Sequence, residues 1–406
     1  MTRHYRSPAI ALLLSGALLL AACSDDSADE GADDTPVTGA AAADTTSTVA
    51  ETTAPPTTLS PEDLAMAYTG AGPHPVGVIT LALADGTPVE VWYPAAEGTT
   101  GSETYDLRDH IPEAIRALLT ADVPAGLTYP AGRDAEAAEG RFPLVLFSHG
   151  FSGVRMQSTI LTTHLASWGM IVVSPEHASR NLAAVLAASA PSDPQASVND
   201  LTGALDLALA ADGDATSTLH EHVDSGLIAA VGHSAGGGTV LRAAVADDRI
   251  TGFVSLASGA LGSEDGAAMP TVPSFFIAGS VDAVVSPDET TRPAFAAATS
   301  PSLLWVIEGA GHNAFDDFCT FGNGTGIIGL AEASGLGPVL DSMGGLRALG
   351  EDGCIPPALD VDVTFPIINH AVTSWLRALF GIDAEAVGIG PEVADLYATP
   401  VVIEQR

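Results

Sequence analysis

The segment Ala229-Ala-Val-Gly-His-Ser-Ala-Gly-Gly-Gly238 constrains this chain more than any other. An apolar run enters Gly232-His-Ser-Ala-Gly236 and a helix-like stretch follows, the pattern of a nucleophile elbow that lifts a serine hydroxyl clear of a sheet. In so tight a turn the residues two before and two after the serine pack against each other, which only residues as small as Gly232 and Gly236 allow. Gly-x-Ser-x-Gly also occurs in ordinary loops. The strand before it and the helix after it give this instance its weight.

An elbow of this kind needs a sheet around it. At 406 residues the chain is long enough for two or three average domains, but an open α/β sheet takes up roughly 250 residues as one unit. One folded domain is expected over residues 66–385, with a tail at 386–406. Before it, Arg3 and Arg6 precede the apolar run Ala9 to Leu20, which is too short for a comfortable bilayer span and reads as a secretion signal over residues 1–22. Its ending, Leu20-Ala-Ala-Cys23, resembles the lipobox of bacterial lipoproteins. That likeness implies a lipid on Cys23, making it the first mature residue, and an extracytoplasmic protein anchored to the membrane or released. An ordinary signal peptide cut at another small residue is the alternative. Residues 23–65 are mostly Asp, Ala, Thr, Pro and Ser, too polar to offset their ordering entropy, and are expected to act as a tether.

The formal net charge is −36 and lysine is absent, so the basic face that phosphate-backbone binding requires is missing and nucleic acid is excluded as a partner. With Cys23 taken by lipid, Cys319 and Cys354 remain, and outside the cytoplasm an even pair points to a bridge between them. Neither has a metal-like spacing to histidine, so no metal and no cofactor are expected. A monomer is the expected state.

Strand and helix patterns alternate along the domain. Val76–Leu83 and Pro88–Tyr93 flank Asp85-Gly86 as an antiparallel hairpin at the sheet edge. Buried strands are expected at Pro143–Ser148, Met170–Ser174, Leu227–Val231, Phe253–Leu256, Ser274–Ala278 and Leu303–Glu308. Helices are expected near Ile111–Leu119, at Thr159–Trp168, Leu201–Ala211 and Gly238–Ala246, and from Pro366 to Phe380. The sum is an α/β fold, a mainly parallel central sheet with helices on both faces. The glycine-rich stretch from Phe318 to Pro366 has weak periodicity and reads as an excursion pinned by the disulfide.

A serine hydroxyl is a weak nucleophile until an imidazole takes its proton, and that imidazole needs an acid on its other nitrogen. Asp282 follows the strand Ser274–Ala278 through Gly279-Ser-Val281, and His312 follows Leu303–Glu308 through Gly309-Ala-Gly311. Both stand past strand ends, in the chain order serine, acid, histidine that such folds use. Glu264, Asp265 and Asp288 are rival acids and His370 a rival base. The oxyanion formed during acyl transfer needs two NH donors. Ala235 supplies one, and the loop after Pro143–Ser148 the other, through Phe151 or Ser152, with Phe151 preferred. His149 reads as a loop brace and His233 as pointing toward the pocket rim or the substrate, with no catalytic role. Arg155 and His177 are candidate substrate contacts or braces.

Two branches of one superfamily are similar to these motifs. Phe142-Pro-Leu-Val-Leu-Phe-Ser-His-Gly150, Leu165-Ala-Ser-Trp-Gly-Met-Ile-Val-Val173, Glu176-His177 and His312-Asn-Ala-Phe-Asp-Asp-Phe318 resemble the platelet-activating-factor acetylhydrolases and their dienelactone-hydrolase-like relatives. Val272-Pro-Ser-Phe-Phe-Ile-Ala-Gly-Ser-Val-Asp282 and Gly232-His-Ser-Ala-Gly-Gly-Gly238 resemble bacterial cutinase-like polyester hydrolases. In the acetylhydrolases the acid follows the strand after the nucleophile helix, where Phe253-Val-Ser-Leu-Ala-Ser258 has none, so the polyesterase likeness supports Asp282.

The resemblance implies an α/β-hydrolase fold and a serine carboxylic ester hydrolase that forms an acyl-enzyme on short-chain acyl esters. A polyester hydrolase and a phospholipid short-acyl hydrolase are the alternatives, so the partner is a small-molecule or polymeric ester. Outside enzymes, the rival is a surface binding protein on an inactive hydrolase fold.

Overall fold

A computed structural model describes residues 59–189, 193–259 and 268–406. The expected signal segment, Cys23 and most of the expected tether lie outside those residues, as do Glu264 and Asp265.

Twelve strands are present among the described residues: β1 (Val76–Ala82), β2 (Pro88–Pro94), β3 (Glu103–Asp106), β4 (Gly126–Tyr129), β5 (Gly132–Arg133), β6 (Phe142–Ser148), β7 (Ile171–Pro175), β8 (Val223–His233), β9 (Phe253–Leu256), β10 (Ser274–Gly279), β11 (Ser302–Ile307) and β12 (Val401–Gln405). Ten form one sheet in the order β12-β11-β10-β9-β8-β6-β7-β2-β1-β5, and β3 pairs with β4 separately. From β7 through β6, β8, β9 and β10 to β11 every neighbour is parallel. The strands β1 and β2 form the expected antiparallel hairpin, but the short β5 lies outside it at the edge.

Central strands of a parallel sheet are covered on both faces and therefore read as continuous apolar runs. In β6, Val145 and Phe147 enter one core while Leu144 and Leu146 enter the other. Helices Thr159–Ser167 and Val361–Leu379 cover the first face, through Leu161, Leu165, Ile367 and Ala371. Helices Pro194–Gly213 and Ala235–Ala246 cover the second, through Val198, Leu201, Val240 and Leu241. The Asp193 carboxylate caps the longest of these by accepting the Gln195 and Ala196 NH groups, with Pro194 at the first helical position.

The structure corrects the expected boundaries at both ends of the domain. The fold starts before residue 66: Pro61–Met66 is a helix opened by a reciprocal capping box between Ser60 and Asp63, and Ala65 is buried. Its composition resembles that of the tether, and only the Ser-Pro-Glu-Asp start marks it. Residues 386–406 are no tail. Ile389 and Val393 are buried, the Trp305 indole NH donates to the Ile389 carbonyl at 3.1 Å, and β12 pairs antiparallel with β11. The β-branched run Val401-Val-Ile403 carried that signal.

Several further elements differ from expectation: the helix expected near Ile111–Leu119 is the single turn Glu113–Arg116, and that expected at Leu201–Ala211 begins at Pro194, where Asp193 caps it. The closing helix begins at Val361, capped by Asp360, and takes Pro366 into its interior. The stretch after Phe318 folds into the short helices Phe321–Gly324, Gly326–Ala333, Gly337–Ser342 and Leu346–Glu351, and Cys319 and Cys354 are joined by the expected disulfide.

Candidate active site

Ser234 sits between β8 and the helix Ala235–Ala246 with φ 55° and ψ −122°, a conformation costly for any residue with a side chain. Its neighbours make the turn possible. A Cβ on Gly232 would lie 2.2 Å from the Gly236 carbonyl oxygen, and one on Gly236 would lie 1.9 Å from that of Ser148. The glycines of the motif are thus required by the close approach of backbone to backbone.

The loops after β10 and β11 bring the other two residues to this turn. His312 Nε2 lies 2.9 Å from Ser234 Oγ, and His312 Nδ1 lies 2.9 Å from Asp282 Oδ2. The imidazole and the carboxylate are buried. The second oxygen of Asp282 accepts the Val284 and Val285 NH groups at 2.9 and 2.7 Å, which fixes the carboxylate plane. With Nδ1–H donated to Asp282, Nε2 offers its lone pair to the serine hydroxyl, the arrangement that permits proton removal during attack. Asp288 is on the surface, paired with Arg292. His370 is a buried structural residue that accepts the Tyr68 NH and donates to the Gly388 carbonyl.

Asp352 spans both loops. Its Oδ1 accepts the His312 NH at 2.7 Å, its Oδ2 accepts the Ala283 NH at 2.8 Å, and its carbonyl accepts the Asn313 NH at 2.9 Å. Nothing local in the sequence signals this residue.

The loop after β6 holds its NH groups in three different ways. The Gly150 NH donates to Gln157 Oε1 at 2.8 Å and the Ser152 NH to the Arg180 carbonyl at 2.8 Å. Between them, the Phe151 NH has no acceptor among the described residues. Ala235 is the first residue of its helix, where NH groups have no intrahelical partner. Of the two loop candidates, Ser152 is committed elsewhere and Phe151 is not.

Gln157 also donates to His233 Nδ1 at 3.0 Å and to Asp316 Oδ2 at 2.6 Å, while His233 Nε2–H donates to the His312 carbonyl at 3.1 Å. Burial, reinforced by neighbouring His312, holds the His233 imidazole well below its usual range and therefore neutral. Burial pushes the Asp316 carboxyl well above its own. His233 accordingly ties the loop after β6 to the backbone of His312, and it also lines the cleft beside Ser234. His149 braces its loop, donating to the Gly150 carbonyl and accepting the His177 NH. His177 lies buried between Ser148 and Asp200, and Arg155 between Glu90 and Glu176; both are braces.

Ser234 and His312 open onto a cleft of about 870 Å³, its mouth included. Leu107, Ile111, Ile115 and Leu119 line one side, Leu182 and Leu186 another, and the helices between Ile327 and Gly350 the roof. Phe151 and Phe318 are the aromatic members; the rest of the apolar lining is aliphatic.

A sheet of this order, with a serine elbow and with acid and histidine loops at successive strand ends, defines an α/β-hydrolase. A sequence model of the PET hydrolase-like family matches residues 126–328, half of the chain, and the chain belongs to that family of carboxylic ester hydrolases. None of the curated proteins matches it. The match takes in Ser234, Asp282 and His312, whereas Leu107–Leu119 and the roof beyond Ile328 lie outside the matched residues.

Proposed function

We propose that this chain is a serine esterase that works through an acyl-enzyme on esters with an aliphatic limb longer than acetyl. The observation that supports it is the hydrogen-bonded line Ser234–His312–Asp282 at the floor of an aliphatic cleft. Ser234 Oγ attacks the ester carbonyl carbon as His312 Nε2 takes the hydroxyl proton, and Asp282 stabilises the imidazolium that results. The carbonyl oxygen, now anionic, accepts from the Phe151 and Ala235 NH groups. Collapse breaks the bond to the alcohol oxygen, which leaves with the proton from His312. Water, deprotonated by His312, then attacks the acyl carbon and releases the acid and Ser234. The sequence suggests short-chain esters; the aliphatic lining of the cleft is what supports a longer limb here.

Initial rates on nitrophenyl esters from acetate to palmitate, beside Ser234→Ala, test this reading. Turnover that rises from acetate toward medium chains and vanishes in the variant supports it; equal rates for the two proteins would refute it. Failure of a fluorophosphonate to label the parent would favour the inactive binding protein.

The family description favours a second reading, cleavage of an aromatic polyester. Release of soluble acid from a polyester film, lost in Ser234→Ala, would establish it. The disulfide suits an oxidising, extracytoplasmic setting. Anchoring through Cys23 belongs to the same proposal and is tested by fatty-acid labelling that disappears in Cys23→Ser.

A further inference from the structure

Among the described residues one buried cation has no place in the steps above. Arg180 follows β7, is 7% exposed, and belongs to a chain with 14 basic against 50 acidic residues. No carboxylate lies within ion-pair distance of it among the described residues, and its Nε is buried without an acceptor. Burial draws its guanidinium down to about 9, still charged at neutral pH, with Asp200 and Glu176 opposing this from a distance. A buried charge without a counter-ion is expensive, and a neutral amide would serve as well if hydrogen bonding were all that was needed.

Its partners show where the charge is directed. Nη2 donates to the His149 carbonyl at 2.6 Å and to Ser148 Oγ at 2.8 Å. Nη1 donates to Thr239 Oγ1 at 2.7 Å and, more weakly, to the Ala235 carbonyl at 3.5 Å. Thr239 Oγ1 itself donates to that Ala235 carbonyl at 3.1 Å. The main-chain carbonyl of Arg180 accepts the Ser152 NH at 2.8 Å. One residue thus holds the backbone on both sides of Phe151 and, through the same guanidinium, the first turn of the helix that begins at Ala235.

We propose that Arg180 is the positioning residue of the oxyanion site: it fixes the spacing between the Phe151 and Ala235 NH groups and places a permanent positive charge against the backbone that carries them. Resting on the reading of Ser234 as the nucleophile, it adds a role that the serine, histidine and aspartate do not supply. The cost of the unpaired charge is offset when negative charge appears on the substrate oxygen, so the interaction strengthens in the transition state relative to the ground state.

The test compares Arg180→Met and Arg180→Lys with the full-length parent. It measures kcat and KM on a medium-chain nitrophenyl ester, and Ki for an alkyl trifluoromethyl ketone, whose hemiketal with Ser234 carries an oxyanion. For Arg180→Met we expect kcat to fall by about 100-fold, KM to move by less than about threefold, and the ketone Ki to rise in proportion to the loss in kcat/KM. Arg180→Lys keeps the charge but not the planar fork, and should recover part of both. An unchanged kcat, or a lowered kcat with an unchanged ketone Ki, overturns the proposal. Should Arg180→Met fail to fold, Thr239→Val removes one Nη1 partner, together with the Thr239 bond to the Ala235 carbonyl, and leaves the guanidinium in place. A smaller shift of kcat and Ki together then supports the role, and no shift in either refutes it. Ser234→Ala separates the two readings: ketone binding and turnover that survive in it sink the nucleophile itself, whatever Arg180 does.

Discussion

One carboxylate oxygen of Asp352 accepts the backbone NH of His312 at 2.7 Å, while its other oxygen accepts the NH of Ala283, next to Asp282, at 2.8 Å. A single side chain therefore sets the distance between the loop that carries the acid and the loop that carries the base. Asp352 directly follows the helix Leu346–Glu351 that roofs the cleft, and Cys354, two residues on, is bonded to Cys319 beyond the His312 loop. The roof and the proton-transfer line are consequently parts of one mechanical unit.

Removing this clamp should misplace His312 without touching the ester. For Asp352→Ala we expect kcat to fall by about 10- to 100-fold with a much smaller change in KM, because displacement of a reacting group by about 1 Å costs on that order. Asp352→Asn keeps one acceptor and should fall between. Steady-state kinetics on one nitrophenyl ester decide it; a loss confined to KM would place Asp352 in the roof alone.

The glycines around Ser234, Gly236 in the elbow and Gly150 in the loop after β6, differ in what a methyl group would meet, and that difference orders their effects. A Cβ on Gly236 would meet the Ser148 carbonyl at 1.9 Å, backbone that cannot yield, whereas one on Gly150 would meet Ser234 Cβ at 3.2 Å and His233 Nδ1 at 3.4 Å. Gly236→Ala should therefore abolish folding or lower the melting temperature severely. Gly150→Ala should fold and lose about tenfold or more in kcat through displacement of the nucleophile. Thermal unfolding measured beside activity separates the two; equal stability losses would contradict the ordering.

Ser234, Asp282 and His312 were legible in the sequence because each is marked locally, by an apolar strand followed by small residues at the strand end. Ala235 followed by adjacency to the serine. Gln157, Arg180 and Asp352 were not legible, because they act on residues 76, 55 and 40 positions away and no local pattern marks a polar side chain that satisfies distant backbone. The roof was hidden for another reason. Its helices run four to eight residues and are interrupted by glycines, too short for an apolar period to repeat. At the C-terminus the signal in Val401-Val-Ile403 was present but brief, and edge strands need only a few residues to pair.

The aliphatic cleft predicts how selectivity responds to its width. Leu186 is half-buried in its wall and takes part in none of the hydrogen bonds of the proton line. Leu186→Trp should leave turnover of acetate within about twofold while lowering kcat/KM for medium-chain esters by about tenfold or more, since added bulk in a packed pocket costs roughly 1–3 kcal/mol. The ratio of the two substrates is the measurement. A uniform change across chain lengths would show that the acyl chain does not run past Leu186.

Stability should depend on pH through Asp317. Its carboxylate is buried, accepts the Tyr129 hydroxyl at 2.6 Å and the Ile160 NH at 3.1 Å, and burial pushes it up to about 7 from an ordinary 3.8. Between those two values the folded state binds more protons than the unfolded state, so stability is fully present at the acidic end and is lost as pH rises through about 7. One such group contributes a slope of at most about 1.4 kcal/mol per pH unit. Asp317→Asn keeps an acceptor for Tyr129 and removes the titration. Between about pH 4.5 and about pH 7.5, urea unfolding should show the variant losing less stability, or gaining more, than the parent as pH rises: Asp316, Asp200 and Glu176, which burial also raises, add to the loss in both proteins, while buried histidines such as His149, His177 and His233, which burial lowers, oppose it in both. Identical differences in the two proteins would mean that Asp317 titrates alike in the folded and unfolded chain.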